Sequence, residues 1–340
     1  MTRMGWVTTG DVAEFLAEAG PFLRRERARN TILLTVAETA RANPRYYASG
    51  GAPASDGTAD KTANGEASGE ASGDGLANTV GSPLYGWWTP DLAPAAGTAG
   101  QVGQAGAAGM AGAEGPDAVR GAFLHTPPFP VVLSGMPAQA AAELAAKTLA
   151  GRPISGVTAH ADAAAAFSAA WAEHTGGTVK PHLRSRLYRL AEIAGPDPLP
   201  DGAPRVAGDG DAALLTDWFE AFSVEVHEMA VPDHAAAVRE RLSYGGLTLW
   251  EVRGEPVCVV GLTRQVAGMV RVGPVYTPPR QRGRGYASAA TAEVSRSALA
   301  AGAQEVLLYT DLENPVSNSI YQRIGYREVE DRVVLAFSEH

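Results

Sequence analysis

The segment Thr277-Pro278-Pro279-Arg280-Gln281-Arg282-Gly283-Arg284-Gly285-Tyr286-Ala287 combines the parts of an anion site. A strand-like run precedes it at 269–276, and an Ala-rich helical pattern follows over 285–301. The first turn of a helix carries N–H groups without intrahelical partners and the positive end of the dipole. Gly283 and Gly285 have no Cβ, so a phosphate can approach their backbone closely. Arg280, Arg282 and Arg284 add charge that is always present. A dinucleotide fingerprint would need a glycine at Ser288 and a strand abutting the first glycine; this chain has neither. A P-loop is excluded, because Gly-Lys-Ser/Thr does not occur.

Other reactive side chains are sparse. Cys258 is the one cysteine, so an intramolecular disulfide and a multi-cysteine metal site are excluded. It lies in the apolar run 257–260 and reads as a small buried hydrophobe rather than a nucleophile. His125, His160, His174, His182, His234 and His340 show no metal-ligand spacing, and no metal is expected. His125, followed by Thr126-Pro127-Pro128, reads as a loop residue. A formal net charge of −9 argues against wholesale nucleic-acid binding and makes the arginine cluster stand out. The N-terminus has no basic stretch followed by a continuous apolar one, and there is no run of 18 apolar residues. The expectation is a cytoplasmic protein with no membrane partner.

The elements that must position the loop are readable from periodicity. A chain of 340 residues fits two domains, and 45% hydrophobic content suffices for two cores. The first part opens with helices at 11–16 and 30–41, interrupted by Gly20-Pro21. Tracts at 50–82 and 96–115 are Gly-, Ala- and Ser-rich and too apolar-poor to offset ordering entropy, so both are expected to be disordered. Strand-like runs at 84–89, 119–125 and 130–133 surround them, which makes the tracts expanded loops inside one domain. Helices at 138–149 and 161–173 flank a short strand at 153–158, and Pro and Gly at 195–204 mark a boundary. Beyond it come a strand from Arg205, helices at 212–222 and 233–242, and strands at 247–252, 256–263 and 269–276. Turns are expected at Gly254-Glu255 and Ala267-Gly268. After the glycine loop and its helix follow a strand at 305–309, a helix at 315–324 and a terminal strand pair, 327–330 and 332–337.

From Arg205 to Phe337 this order resembles the GNAT superfamily of acyl-CoA-dependent N-acyltransferases. Two blocks carry the resemblance: Val275-Tyr276-Thr277-Pro278 through Arg284-Gly285-Tyr286-Ala287, and Thr310-Asp311-Leu312-Glu313-Asn314-Pro315 with Ser317-Asn318-Ser319-Ile320-Tyr321 and Ile324-Gly325-Tyr326. It implies that the amides of Arg282 to Tyr286, with Arg280 and Ala287 in the same block, hold the pyrophosphate of coenzyme A. It implies that backbone groups of Val275 and Thr277, flanking Tyr276, pair with the pantetheine arm like an added strand. Asn314 would lie near the pantetheine amide, with Asn318 beside it; an Asn before Pro is also an ordinary N-cap. Tyr321 would protonate, or hydrogen-bond, the leaving thiolate, since a phenol with a pKa near about 10 keeps its proton at neutral pH; packing beside Ile320 and Ile324 is the alternative. The glutamate that the family often carries on its fourth strand is missing from 269–275. Glu225, His227, Glu228 and Glu251 are candidate bases, and none is singled out.

The expected fold class is therefore α/β of the α+β type, a mixed central sheet flanked by helices. Residues 203–340 would form an N-acetyltransferase unit, and 1–195 a divergent GNAT-like or scaffold unit of similar element order. That first unit reads Leu133-Ser134-Gly135-Met136-Pro137 at the corresponding loop, without an arginine–glycine cradle. The implied activity is acetyl transfer from acetyl-CoA to a small-molecule or peptide amine. The alternative is a protein of this fold that binds or senses acyl-CoA without turnover.

Overall fold

The computed structural model describes residues 5–43, 81–90, 118–227 and 233–338. Almost all of both low-complexity tracts, together with Glu228 and His340, lies outside the described residues. The described chain runs β1 (Gly5–Thr9), α1 (Val12–Glu18), α2 (Gly20–Arg25), α3 (Thr31–Ala42), β2 (Leu84–Thr89), β3 (Gly121–His125), β4 (Val131–Leu133) and α4 (Ala138–Glu143). After a π-turn at Leu144–Thr148 come β5 (Gly156–Ala159), α5 (Ala161–Thr175) and β6 (Thr178–Leu190). The later part contains β7 (Ala203–Val206), α6 (Ala212–Glu225), α7 (His234–Leu242), β8 (Leu247–Val252), β9 (Glu255–Leu262) and β10 (Met269–Tyr276). It closes with α8 (Tyr286–Ala300), β11 (Glu305–Asp311), α9 (Pro315–Arg323) and β12 (Tyr326–Ser338).

Local chemistry explains most of these boundaries. Asp233 caps α7 by accepting from Ala236 N at 2.9 Å, and Asp11 caps α1 by accepting from Ala13 N at 2.7 Å. Gly176 ends α5 in the left-handed region, φ 72°, where a Cβ would be costly. Both hairpins around β9 turn on pairs with positive φ, Arg253-Gly254 and Ala267-Gly268, the geometry that matches strand twist. The first turn thus lies one residue earlier than the sequence suggests.

All twelve strands form one mixed sheet in the order β1-β2-β3-β4-β5-β12-β6-β11-β10-β9-β8-β7. The centre joins the two parts of the chain. β6 and β12 pair antiparallel from Tyr326↔Leu190 to Ser338↔Thr178. On its other side β12 pairs with β5, and β6 with β11. Each part's final strand is therefore seated beside the other part's inner parallel pair, β4–β5 or β10–β11. The expected terminal strand pair is instead the single strand β12, with a bulge between Glu328 and Glu330. The run Glu328-Val329-Glu330-Asp331-Arg332 looks like a turn in sequence. Pairing to β6 carries Glu330 and Arg332 into the interior, where Arg332 Nη1 lies 3.4 Å from Glu330 Oε1.

Side chains alternate across this sheet onto helices on both faces. On β11, Leu307 packs with α1 and α3, while Val306 and Leu308 pack with α8 and α9. The cluster under α1–α3 takes Tyr85 and Ala122 from the first part, and Met269 and Leu307 from the second. Arg27 ties the same joint, with Nη2 3.2 Å from Glu305 Oε1 and Nη1 donating to the Ala267 carbonyl at 3.0 Å. α4 and α5 cover β4, β5 and the far end of β12, and α6 and α7 cover β8 and β9.

Arg332 is buried to 1% exposure and reaches across the face of the sheet. Its Nη2 donates to the Leu133 carbonyl at 2.5 Å and the Thr158 carbonyl at 3.2 Å, and its Nη1 lies 3.4 Å from Glu330 Oε1. Those carbonyls sit at the ends of the parallel β4–β5 pairing, so the guanidinium bridges the mouth between these strands. His160 Nε2 lies 2.9 Å from the same buried Glu330 carboxylate.

His125, read as a loop residue from sequence, is the buried last residue of β3, and its Nδ1 accepts from Arg152 Nε at 2.8 Å. Burial, then the Arg152 charge, lowers its pKa from 6.5 to about 4. Because the folded value lies below the unfolded one, the stability associated with neutral His125 is complete above pH 6.5 and is lost as pH falls towards 4. That loss approaches about 3 kcal/mol. Acid melts should show it, and His125→Gln should flatten the curve over this window; an unchanged pH dependence would contradict the assignment.

The joined sheet generates a second expectation. A fragment 203–340 lacks β6, so β11 and β12 lose the strand between them. It should aggregate or remain unfolded when produced alone, whereas co-produced 1–198 and 199–340 should associate into a cooperatively melting complex. A well-folded isolated 203–340 fragment would refute this dependence.

Candidate active site

The site begins where β10 leaves β11. The two strands pair in parallel from Met269↔Glu305 to Val272↔Leu308 and no further. β11 continues along β6 to Asp311, while Val275 and Tyr276 pair with Val260 and Val259 on β9 after a register shift. Gly273 occupies φ 145°, and Pro274 has no N–H to give a neighbouring strand. Gly261 faces this bulge so closely that a Cβ there would lie 2.6 Å from the Gly273 carbonyl oxygen. These small residues let β10 bend away and expose its final backbone edge, Val275 to Thr277, to a wedge-shaped opening.

Beyond Thr277 the chain makes a 3-10 turn at Pro279–Gln281 and enters α8. Gly283 and Gly285 have φ of 76° and 81°, and Gly285 is the N-cap, so both positions favour glycine by backbone conformation. The Ala289 N–H donates to the Gly285 carbonyl at 3.0 Å as the first intrahelical bond. The amides of Tyr286, Ala287 and Ser288 are therefore left at the helix mouth. Arg280, Arg282 and Arg284 are exposed around it. Arg282 is already engaged: Nε donates to the Thr277 carbonyl at 2.8 Å, Nη2 lies 2.5 Å from Glu225 Oε1, and the guanidinium sits 5.8 Å from the Tyr276 ring centre. Tyr276 is buried against Trp218, with ring centres 6.1 Å apart.

α9 forms the opposite wall. Asn314 is its N-cap, its side chain accepting from Ser317 N at 3.0 Å. Asn318 donates to the Asp311 and Asn314 carbonyls at 2.8 and 2.7 Å, so its amide is spent bracing the turn from β11 into α9. Tyr321 is buried in the cluster that holds Cys258, Tyr286 and Tyr326, edge-on to Tyr326 at 6.1 Å. Burial raises the pKa of its phenol, with the nearby Cys258 adding to the effect. The Cys258 thiol is itself pushed up to about 12 by burial. It is near enough to Thr277 to feel the hydroxyl dipole, but Thr277 Oγ1 meets no hydrogen-bond geometry. Thiol and phenol are thus both protonated and neutral around pH 7. Tyr326 is fixed by a 2.7 Å hydrogen bond to Ser295, which donates to the Thr291 carbonyl at 2.6 Å.

The structure thus groups the residues selected from sequence into a strand edge, a cationic helix mouth and a helix wall carrying Tyr321. It does not bring the candidate bases together. Glu225 is paired with Arg282, and Glu251 with Arg205 at 2.8 Å on β8, two strands from β10. His227 is exposed at φ 51°, and Glu228 lies outside the described residues. Among the described residues no cluster of His, Cys, Asp or Glu is arranged to hold a metal, and no helix is long and apolar enough to cross a membrane. Sequence reasoning missed Tyr188 and Gln322, which touch Asn318 or its neighbours; their signal lies in strand pairing, not in any motif.

Residues 259–335 match the family model described as FR47-like protein. The matched stretch runs from β9 through the bulge, the helix mouth and α9 into β12. A solved protein from Drosophila shares the fold at a TM-score of 0.50 and 14% identity, over 64% of this chain and 74% of that one. A GNAT-family acetyltransferase from Colwellia psychrerythraea gives a TM-score of 0.44 at 14% identity, covering 66% of this chain and 82% of that one. A GCN5-related N-acetyltransferase from Sphaerobacter thermophilus gives 0.46 at 18% identity, covering 66% and 78%. No curated protein matches the chain. Residues 259–335 are thus similar to the FR47-like family, and the mixed sheet flanked by helices is the fold that this chain shares with the Drosophila protein.

Proposed function

We propose that the protein is an acyl-CoA-dependent N-acyltransferase that moves an acetyl group from acetyl-CoA to a small-molecule or peptide amine within a ternary complex, in a cytoplasmic setting. One observation carries the reading: the part of β10 that no longer pairs with β11 leads straight into a helix mouth with unpaired amides and three arginines, opposite a buried neutral phenol. In this proposal the amides of Arg282 to Tyr286 hold the pyrophosphate and the edge at Val275 to Thr277 pairs with the pantetheine arm. The amine nitrogen attacks the thioester carbonyl, the C–N bond forms as C–S breaks, and the thiolate takes the Tyr321 proton. A β10 backbone N–H stabilises the developing oxyanion. The amine proton leaves to water or to a base, and the Tyr321 phenolate regains a proton from solvent before the next turnover. Residues 203–340 bear these groups, and 1–195 serves as scaffold.

A second reading is a protein that binds acyl-CoA without turnover. It is favoured by the ion pairs that occupy Glu225 and Glu251 and by the lack of a carboxylate on β10. Release of free thiol from acetyl-CoA across a broad amine panel separates the two: tight binding with no thiol released by any amine would leave only the second.

Two substitutions probe the assignments. Gly285→Glu places a bulky like charge at the mouth and forces a left-handed backbone on a side chain, so calorimetric binding of acetyl-CoA should be abolished; unchanged affinity would sink the pyrophosphate assignment. Tyr321→Phe should lower kcat by about 10- to 100-fold with acetyl-CoA affinity nearly retained. An unaltered rate would remove Tyr321 from catalysis.

A further inference from the structure

β6 belongs to the first part of the chain, yet it lies against β11, with Tyr188 paired to Leu308 at the point where β10 departs. Tyr188 is completely buried within the cluster of Cys258, Tyr321 and Tyr326. Its hydroxyl donates to Asn318 Oδ1 at 2.9 Å and accepts from Gln322 Nε2 at 3.2 Å. Asn318 and Gln322 stand one turn apart on α9, so a single phenol grips two successive turns of that helix. With its two donated bonds, Asn318 is saturated: both N–H groups and the oxygen are used inside the protein. The rotation of α9, and with it the placement of Asn314 and Tyr321, is referred to a residue from the other part of the chain.

The sheet's internal symmetry supplies a control. The last parallel pair is Val272↔Leu308 in the second part and Val132↔Thr158 in the first. The strands inserted beside them place Tyr188 opposite Leu308 and Val334 opposite Thr158. The hydroxyl thus lies only beside the parallel pair that adjoins the cationic helix mouth. Its counterpart is an aliphatic side chain, which suffices where Arg332 closes the opening. A packing role would be served equally by phenylalanine.

We infer that Tyr188 is a positioning residue for the coenzyme cleft, through which the first part of the chain sets the acyl-donor geometry of the second. The inference rests on the cleft taking an acyl-CoA arm. Full-length Tyr188→Phe, which removes one oxygen and keeps the ring, tests it. The KM and calorimetric Kd for acetyl-CoA should rise about tenfold while the KM for the amine changes little, with a modest fall in melting temperature because Asn318 Oδ1 loses its donor. Gln322→Met, at an accessible site and safe for folding, should give a smaller rise of about threefold. Adding Asn318→Ala to Tyr188→Phe should cost less than the sum of the single effects, because one network is broken twice. Unchanged acetyl-CoA affinity in both Tyr188→Phe and Gln322→Met, or full additivity with Asn318→Ala, overturns the inference alone. A wild-type protein that binds no acetyl-CoA overturns the functional reading with it.

Discussion

The antiparallel pairing of β6 with β12 is the constraint on which the rest of the structure depends. Both strands are 13 residues long, and each has a different neighbour on its far side. Neither part of the chain can complete its sheet without receiving the other's final strand. Backbone polar groups at the centre of a sheet must be paired, so this exchange commits the two parts to fold as one cooperative unit. The helices α1–α3 strengthen the commitment by burying apolar side chains from both sides of the joint.

The same topology creates two openings between parallel strands, with opposite fates. Between β4 and β5, the buried Arg332 spans the gap and donates to carbonyls from both strands. A charge so placed needs an opposite one, and the Glu330 carboxylate, itself beside His160 and Arg29, supplies it. Between β10 and β11 the corresponding gap is kept open by the bulge at Gly273 and the close approach of Gly261. Beyond Val272 the β10 edge has no partner on β11, its Thr277 carbonyl accepts from Arg282, and the arginine–glycine loop stands at its end. The asymmetry lies in side chains and in the β10 bulge, for β3 and β4 pair without a register shift whereas β9 and β10 do not.

Electrostatics divides the candidate active site into a wet, charged rim and a dry, neutral floor. The three arginines are exposed at the rim of an otherwise acidic protein. The floor holds Cys258, Tyr321 and Tyr326, whose pKa values are all raised by burial. Burial keeps the Tyr321 phenol protonated and at the same time makes it a weaker acid, which favours a role as hydrogen-bond donor. Arg282 connects rim to neighbouring helix through Glu225, so an anion arriving at the loop would compete with that carboxylate for the same guanidinium.

By itself the sequence determined the local features: hairpin turns at residues able to adopt positive φ, the capped starts of α1 and α9, the glycines before α8, and the lack of a cradle at Ser134 to Pro137. Periodicity reports which face a side chain takes, and turn chemistry reports where a strand reverses. Neither states which strand lies next to which. Only the tertiary structure decided that β12 is one strand rather than a hairpin, that β6 crosses into the second part, and that His125 and Arg332 are buried. Tyr188 shows the reason most directly. Its position beside Asn318 spans 130 residues of chain and depends on non-local pairing. A local pattern around Leu187 and Tyr188 says only that a strand is present.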